Sequence, residues 1–99
     1  MLWYCRFEWY PNTTRQQVAQ RILEQHQARG NRRPEILKDW YNLAGGGAGF
    51  LLAEADDARQ VTAFLQPYMD LIRWDVHVVY ALNYDQQIQE LQQVVQQKG

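Results

Sequence analysis

Apolar residues recur along the chain with two different periods, and the switches between them mark out the elements. Residues 2–10 alternate. Trp3, Cys5, Phe7 and Trp9 fall on one face, and Leu2, Tyr4, Arg6, Glu8 and Tyr10 on the other, which predicts a strand with one apolar and one mixed face. Pro11-Asn12 ends it, and Thr13-Thr14-Arg15-Gln16 has the spacing of a capping box at a helix start. Val18, Ala19, Ile22, Leu23 and His26 then recur at helical spacing among Gln17, Gln20, Arg21, Glu24 and Gln25, so one stripe of this helix faces a core. Gly30 suits the residue just past its end, and Asn31-Arg32-Arg33-Pro34 reads as a polar loop.

Residues 36–43 predict a second strand, with Ile36, Lys38, Trp40 and Asn42 on one face and Leu37, Asp39, Tyr41 and Leu43 on the other. Its charges suit a sheet edge, where they discourage pairing with other chains. Gly45-Gly46-Gly47-Ala48-Gly49 follows. A phosphate-cradling loop would open a helix, and a Lys-Ser/Thr pair would follow in the P-loop case. Here the apolar run Phe50-Leu51-Leu52-Ala53-Glu54 follows instead, so the glycines predict a hairpin turn into a central strand over 49–55. Asp56 or Asp57 can cap a second helix whose Ala58, Val61, Leu65 and Tyr68 form a stripe, ended with the help of Pro67. Residues 72–80 alternate again: Ile72, Trp74, Val76, Val78 and Tyr80 oppose Arg73, Asp75, His77 and Val79. Asn83 or Asp85 can cap a third helix with Ile88, Leu91, Val94 and Val95 on one seam in a glutamine-rich setting. That seam must bury against its own sheet or a partner.

The order β-α-β-β-α-β plus a C-terminal helix predicts a single α+β domain over 1–99, a ferredoxin-like sandwich over 1–81 with an added helix over 82–99. Both crossover helices would lie on one sheet face. Four Trp, six Tyr and three Phe exceed what one covered face absorbs, so burial of the second face, and therefore a homodimer through the sheet, is expected.

The segment Trp40-Tyr41-Asn42-Leu43-Ala44-Gly45-Gly46-Gly47-Ala48-Gly49-Phe50, with Glu54-Ala55-Asp56-Asp57-Ala58 and Leu65-Gln66-Pro67-Tyr68-Met69-Asp70-Leu71, resembles the bacterial family called domain of unknown function 3303 over roughly residues 1–81. The resemblance implies a dimeric α+β barrel, in which two such sheets face each other around a central space. Relatives of that architecture include cofactor-free monooxygenases, isomerases and haem enzymes. The resemblance supplies no catalytic residues, and fold alone does not give function.

A net charge of −1, with no basic run beyond Arg32-Arg33, disfavours nucleic acid as a partner. An RNA-binding module has the same element order, and Gly47-Ala48-Gly49-Phe50-Leu51 partly echoes its third strand. Gly46 stands where that signature needs a basic residue, however, and Ala48 and Ala53 where it needs aromatics. The one cysteine, Cys5, excludes an internal disulfide and fits a reducing, cytoplasmic setting. With no basic leader or long apolar run, neither export nor a membrane partner is expected. Cys5, His26 and His77 lack metal-ligand spacing, and a lone His77 does not by itself signal a haem site, so no cofactor is expected.

The mixed strand face is the candidate site. With the first and last strands adjacent, Arg6 and Glu8 share a face with Tyr4, Arg73, Asp75 and His77. His77, Asp75 and Arg6 could carry acid-base catalysis, the carboxylate orienting the imidazole, while Tyr4, Glu8 and Arg73 would contact a small-molecule ligand. The same residues also describe an ordinary polar face or interface ion pairs, which perturb pKa values just as active sites do. Two functions follow: a small-molecule-binding barrel that could be a cofactor-independent enzyme, or a non-catalytic interaction homodimer.

Overall fold

The computed structural model describes residues 1–29 and 33–97. Elements follow in the order β1 (Leu2–Trp9), α1 (Arg15–Arg29), β2 (Leu37–Asn42), β3 (Ala48–Glu54), α2 (Ala58–Leu65), a 3₁₀ turn (Gln66–Tyr68), β4 (Ile72–Val79) and α3 (Tyr84–Gln97). The strands form one sheet ordered β2-β3-β1-β4, with every neighbouring pair antiparallel. The fold is α+β and ferredoxin-like, with a C-terminal helix. The readings of Gly30 and Asn31-Arg32 lie outside the described residues.

Alternation along the strands decides which side chains meet the helices. Cys5, Leu51 and Ala53 pack with Val61 and Leu65 of α2, while Phe7 and Ile72 pack with Val18 of α1 and with Leu71. Cys5, Val61 and Leu65 are fully buried. Burying a side chain of that kind is worth roughly 1.5–3 kcal/mol, so α2 anchors the core. Among the α1 residues whose burial is described only Val18 is buried, and Leu23 is 57 % exposed, so α1 lies less closely on the sheet.

Local chemistry sets the ends of the elements. The capping box of α1 sits one residue later than its sequence spacing suggested. Gln17 N–H donates to Thr14 Oγ1 (3.2 Å) and Thr14 N–H to Gln17 Oε1 (2.9 Å). Thr13 is diverted, its hydroxyl donating to the Leu71 carbonyl at 2.7 Å and tying the start of α1 to the loop before β4. Asp57 caps α2 by accepting from Arg59 N–H (2.7 Å), and Asn83 caps α3 by accepting from Gln86 N–H (3.0 Å).

The glycine segment is the β2–β3 hairpin turn, closed by Leu43 N–H to the Ala48 carbonyl at 2.9 Å. Gly46 and Gly47 take φ of 78° and 75°, a region that side chains disfavour. Gly49 serves a different need. A Cβ there would stand 2.1 Å from the Tyr41 carbonyl oxygen and 2.7 Å from Phe7 Cζ, so the strands close only around a bare Cα.

β2 departs from simple alternation. Leu37 pairs with Ala53 but Asp39 with Leu52, so a bulge at Lys38 reverses the faces on one side of it. Leu37 thereby joins Trp40 and Asn42 on the helix side, rather than Asp39 and Tyr41 on the open side.

Candidate functional site

The register assembles the residues singled out on the open face. Arg6 pairs with Asp75, Tyr4 with His77 and Glu8 with Arg73, so opposite charges sit across from each other between β1 and β4. His77 Nε2 and Asp75 Oδ1 are 3.0 Å apart, and Arg6 Nη1 lies 3.4 Å from Glu8 Oε2. Beside them runs an aromatic row: the Tyr41 and Phe50 rings stack at 5.0 Å, and Tyr4 tilts against Phe50 at 5.2 Å. The side chains of His77 and Asp75 are 60 % and 61 % exposed, so water screens the pair within one protomer. Such a face becomes an electrostatically tuned site only when something covers it.

The helix side holds a partly open cavity. A cavity of about 570 Å³ opens between α1, α2 and the sheet. Phe7, Trp9, Trp40 and Trp74 wall it from the strands, Val18 and Ile22 from α1, and Phe64 and Tyr68 from the α2 side. Its size is that of a small-molecule site. Among the described residues, the charged side chains lining it are the cationic Arg15 and Arg33; His26 lines it as well, and no carboxylate does. Trp74, one of its walls, has its Nε1 buried without an acceptor, which is rare for a buried donor. A second cleft, of about 510 Å³, is bordered by Glu35, Glu54, Asp56 and Gln60 and has fewer aromatic walls.

The cavity owes its existence to α1. Val18, Ala19 and Ile22 make a thin stripe with a small residue at its centre, which cannot fill the space above Trp9, Trp40 and Trp74. The sequence carried that signal in two places, the surplus of aromatics on the helix-side register and the narrow stripe of α1. The reading of the strands toward their mixed face passed over both.

Cys5 lies in the sheet centre, where burial pushes its thiol up to about 11. It is therefore packing rather than a nucleophile at neutral pH. Among the described residues no three His, Cys, Asp or Glu side chains converge as metal ligands, and no helix is long and apolar enough to cross a membrane.

The profile of the family described as Domain of unknown function (DUF3303) matches residues 1–98. The match takes in α3, beyond residue 81 where the motif resemblance stops. No curated protein matches the chain.

Proposed function

We propose, from the premise that the chain belongs to the DUF3303 family, that it is a small-molecule-binding homodimer of the α+β-barrel kind. Its ligand would be a flat, largely apolar molecule bearing one acidic group, held between α1 and the sheet. The carrying observation is the cavity of about 570 Å³, walled by aromatic rings and charged only by cations at its border. Aromatic walls gain by stacking a planar body. Arg15 would pair with the acid, and the absence of carboxylates from the lining removes the group that would repel it. The open face, with Tyr41, Phe50 and Tyr4 stacked beside paired charges, is the surface on which the second copy would sit. The buried single thiol fits a reducing cytoplasm.

Trp9, Trp40 and Trp74 make the cavity report on itself. Titration with 2-naphthoate should quench tryptophan fluorescence saturably, and 2-naphthamide should bind more weakly by about tenfold, the worth of one charge-assisted contact. Arg15→Ala should abolish that preference. Absence of saturable quenching at millimolar naphthoate, or equal binding of acid and amide, refutes the assignment. Native mass spectrometry of freshly purified protein would read subunit count and any retained ligand together.

A second reading is favoured by the 3.0 Å approach of His77 to Asp75. In it the dimer encloses the open face, His77, Asp75 and Arg6 perform acid-base chemistry without a cofactor, and Tyr4, Glu8 and Arg73 hold the substrate. His77→Ala would then remove binding or turnover of a co-purifying molecule while the dimer persists. If the variant binds that molecule unchanged, the face is an interface alone, as in a non-catalytic interaction protein.

A further inference from the structure

α3 is an amphipathic helix with nothing under it. Ile88, Leu91 and Val95 follow Tyr84 at coiled-coil spacing, and Val94 widens the stripe, yet no residue of α3 is buried. Tyr84 is 78 % exposed at its start and Val95 72 % near its end, and even Ile88, the most covered of the seam, is 36 % exposed. The helix leads away from the body: the radius of gyration is 17.8 Å and the extents are 59 × 28 × 20 Å, where a compact chain of this length would have a radius of about 13 Å. It therefore does not cover its own sheet. An isolated helix of 14 residues is marginal in water, so α3 needs a surface to lie on.

From these facts we infer that α3 is an exchanged arm, laid by each protomer across the other in a symmetric dimer. This rests on the homodimer proposed above, and the experiment below separates the two. Area argues for the second copy. A four-stranded face of this size offers about 450 Å² per protomer, so two facing sheets bury about 900 Å², well short of the ~1,600 Å² of a stable specific interface. Two arms, each about 21 Å long and each buried along one stripe, raise the total to about 1,700 Å². The apolar run is also continuous: Val76 and Val78 on the β4 edge, then Tyr80, Leu82 and Tyr84, are all exposed on the way into α3. One chain thus presents an unpartnered strip and an unpartnered seam, which a twofold axis can satisfy together. A lipid surface suits the arm poorly, because its polar face is mainly glutamine with Asp85 and Glu90 and carries no cation between residues 84 and 97.

The test uses the full chain. Sedimentation equilibrium of wild type, of the double variant Leu91→Gln with Val95→Gln, and of Phe50→Glu on the open face is combined with hydrogen exchange of α3. Glutamine keeps the helix propensity and matches its neighbours. Neither double-variant site packs in the body, so the body of the double variant folds, and circular dichroism checks that Phe50→Glu, which loses its ring contacts with Tyr41 and Tyr4, keeps the wild-type fold. The expected result is a wild-type dimer with protected α3 amides, and a dissociation constant raised at least about 100-fold in the double variant with that protection lost. A double variant that dimerises as tightly as wild type overturns the exchanged arm, and its sensitivity to Phe50→Glu then shows that the sheet dimer stands without it. A wild-type monomer at 100 µM overturns both.

Discussion

The two faces of the sheet are made by the same four strands, and cross-strand rows one residue apart show how differently they have been used. On the helix side Trp40, Leu51, Cys5 and Val76 lie in register; on the open side Tyr41, Phe50, Arg6 and Asp75 do. The first row runs from exposed at Trp40 through buried at Leu51 and Cys5 to 37 % exposed at Val76, tracking where α2 sits. The second stays half-buried or exposed throughout, with Arg6 paired to Glu8 and Asp75 to His77 along their own strands. Alternation therefore decides what each face offers, whereas coverage decides what it becomes: core under α2, cavity under α1, and interface where a second copy would lie.

Substitutions should grade this contrast. Leu65→Ala, at a fully buried position under α2, should cost the most, about 3–4 kcal/mol in urea unfolding. A loss below 1 kcal/mol would mean that α2 does not anchor the helix-side core. Gly49→Ala comes next, at about 2–3 kcal/mol, because its methyl group meets the Tyr41 carbonyl oxygen and a strand must shift. Thr13→Val should lose about 1 kcal/mol through the hydroxyl bond to the Leu71 carbonyl. Unchanged stability there would show that the tie between α1 and β4 is idle.

Smaller effects come from surface carboxylates. The bidentate Arg21 pair, at 2.6 and 2.9 Å, holds the Asp70 carboxyl below its usual 3.8, and the Arg59 backbone N–H, with its guanidinium, does the same for Asp57. Folded values lower than unfolded ones add stability that is fully present above the unfolded pKa and is lost as pH falls through the folded one. Urea midpoints should therefore decline below about pH 4, less steeply in Asp70→Asn than in wild type. Identical slopes would remove Asp70 from that account. His77→Ala, on the open face, should change protomer stability by less than about 0.5 kcal/mol. A larger loss seen only at dimer-forming concentrations would place His77 inside the interface.

Element order, the sheet edge at β2, the hairpin at the glycines and the shared face of Arg6, Asp75 and His77 were legible because each follows from period, turn chemistry and the adjacency of first and last strands. The bulge at Lys38 was not. It is a register shift against β3, and nothing in Leu37-Lys38-Asp39 announces an extra residue. The capping box slipped from Thr13 to Thr14 because Thr13 found a better acceptor 58 positions away, a partner that local sequence cannot reveal. The cavity was half visible: alternation grouped Trp3 with Trp9 and Trp74 with Ile72, but which face the helices cover, and how far α1 stands off it, depends on volumes summed across several elements. The position of α3 could be left only as a choice between its own sheet and another molecule, since a seam records that it needs cover and not whose.

The single thiol at the centre of β1 gives the protein a built-in clock. Cys5 is inaccessible and its thiol is held near 11, so a reagent that consumes thiolates can reach it only when β1 leaves the sheet. Its alkylation rate in plain buffer therefore counts openings of the sheet one molecule at a time, without denaturant. In a chain whose sheet is clamped by a second copy the clock should run slower as concentration rises.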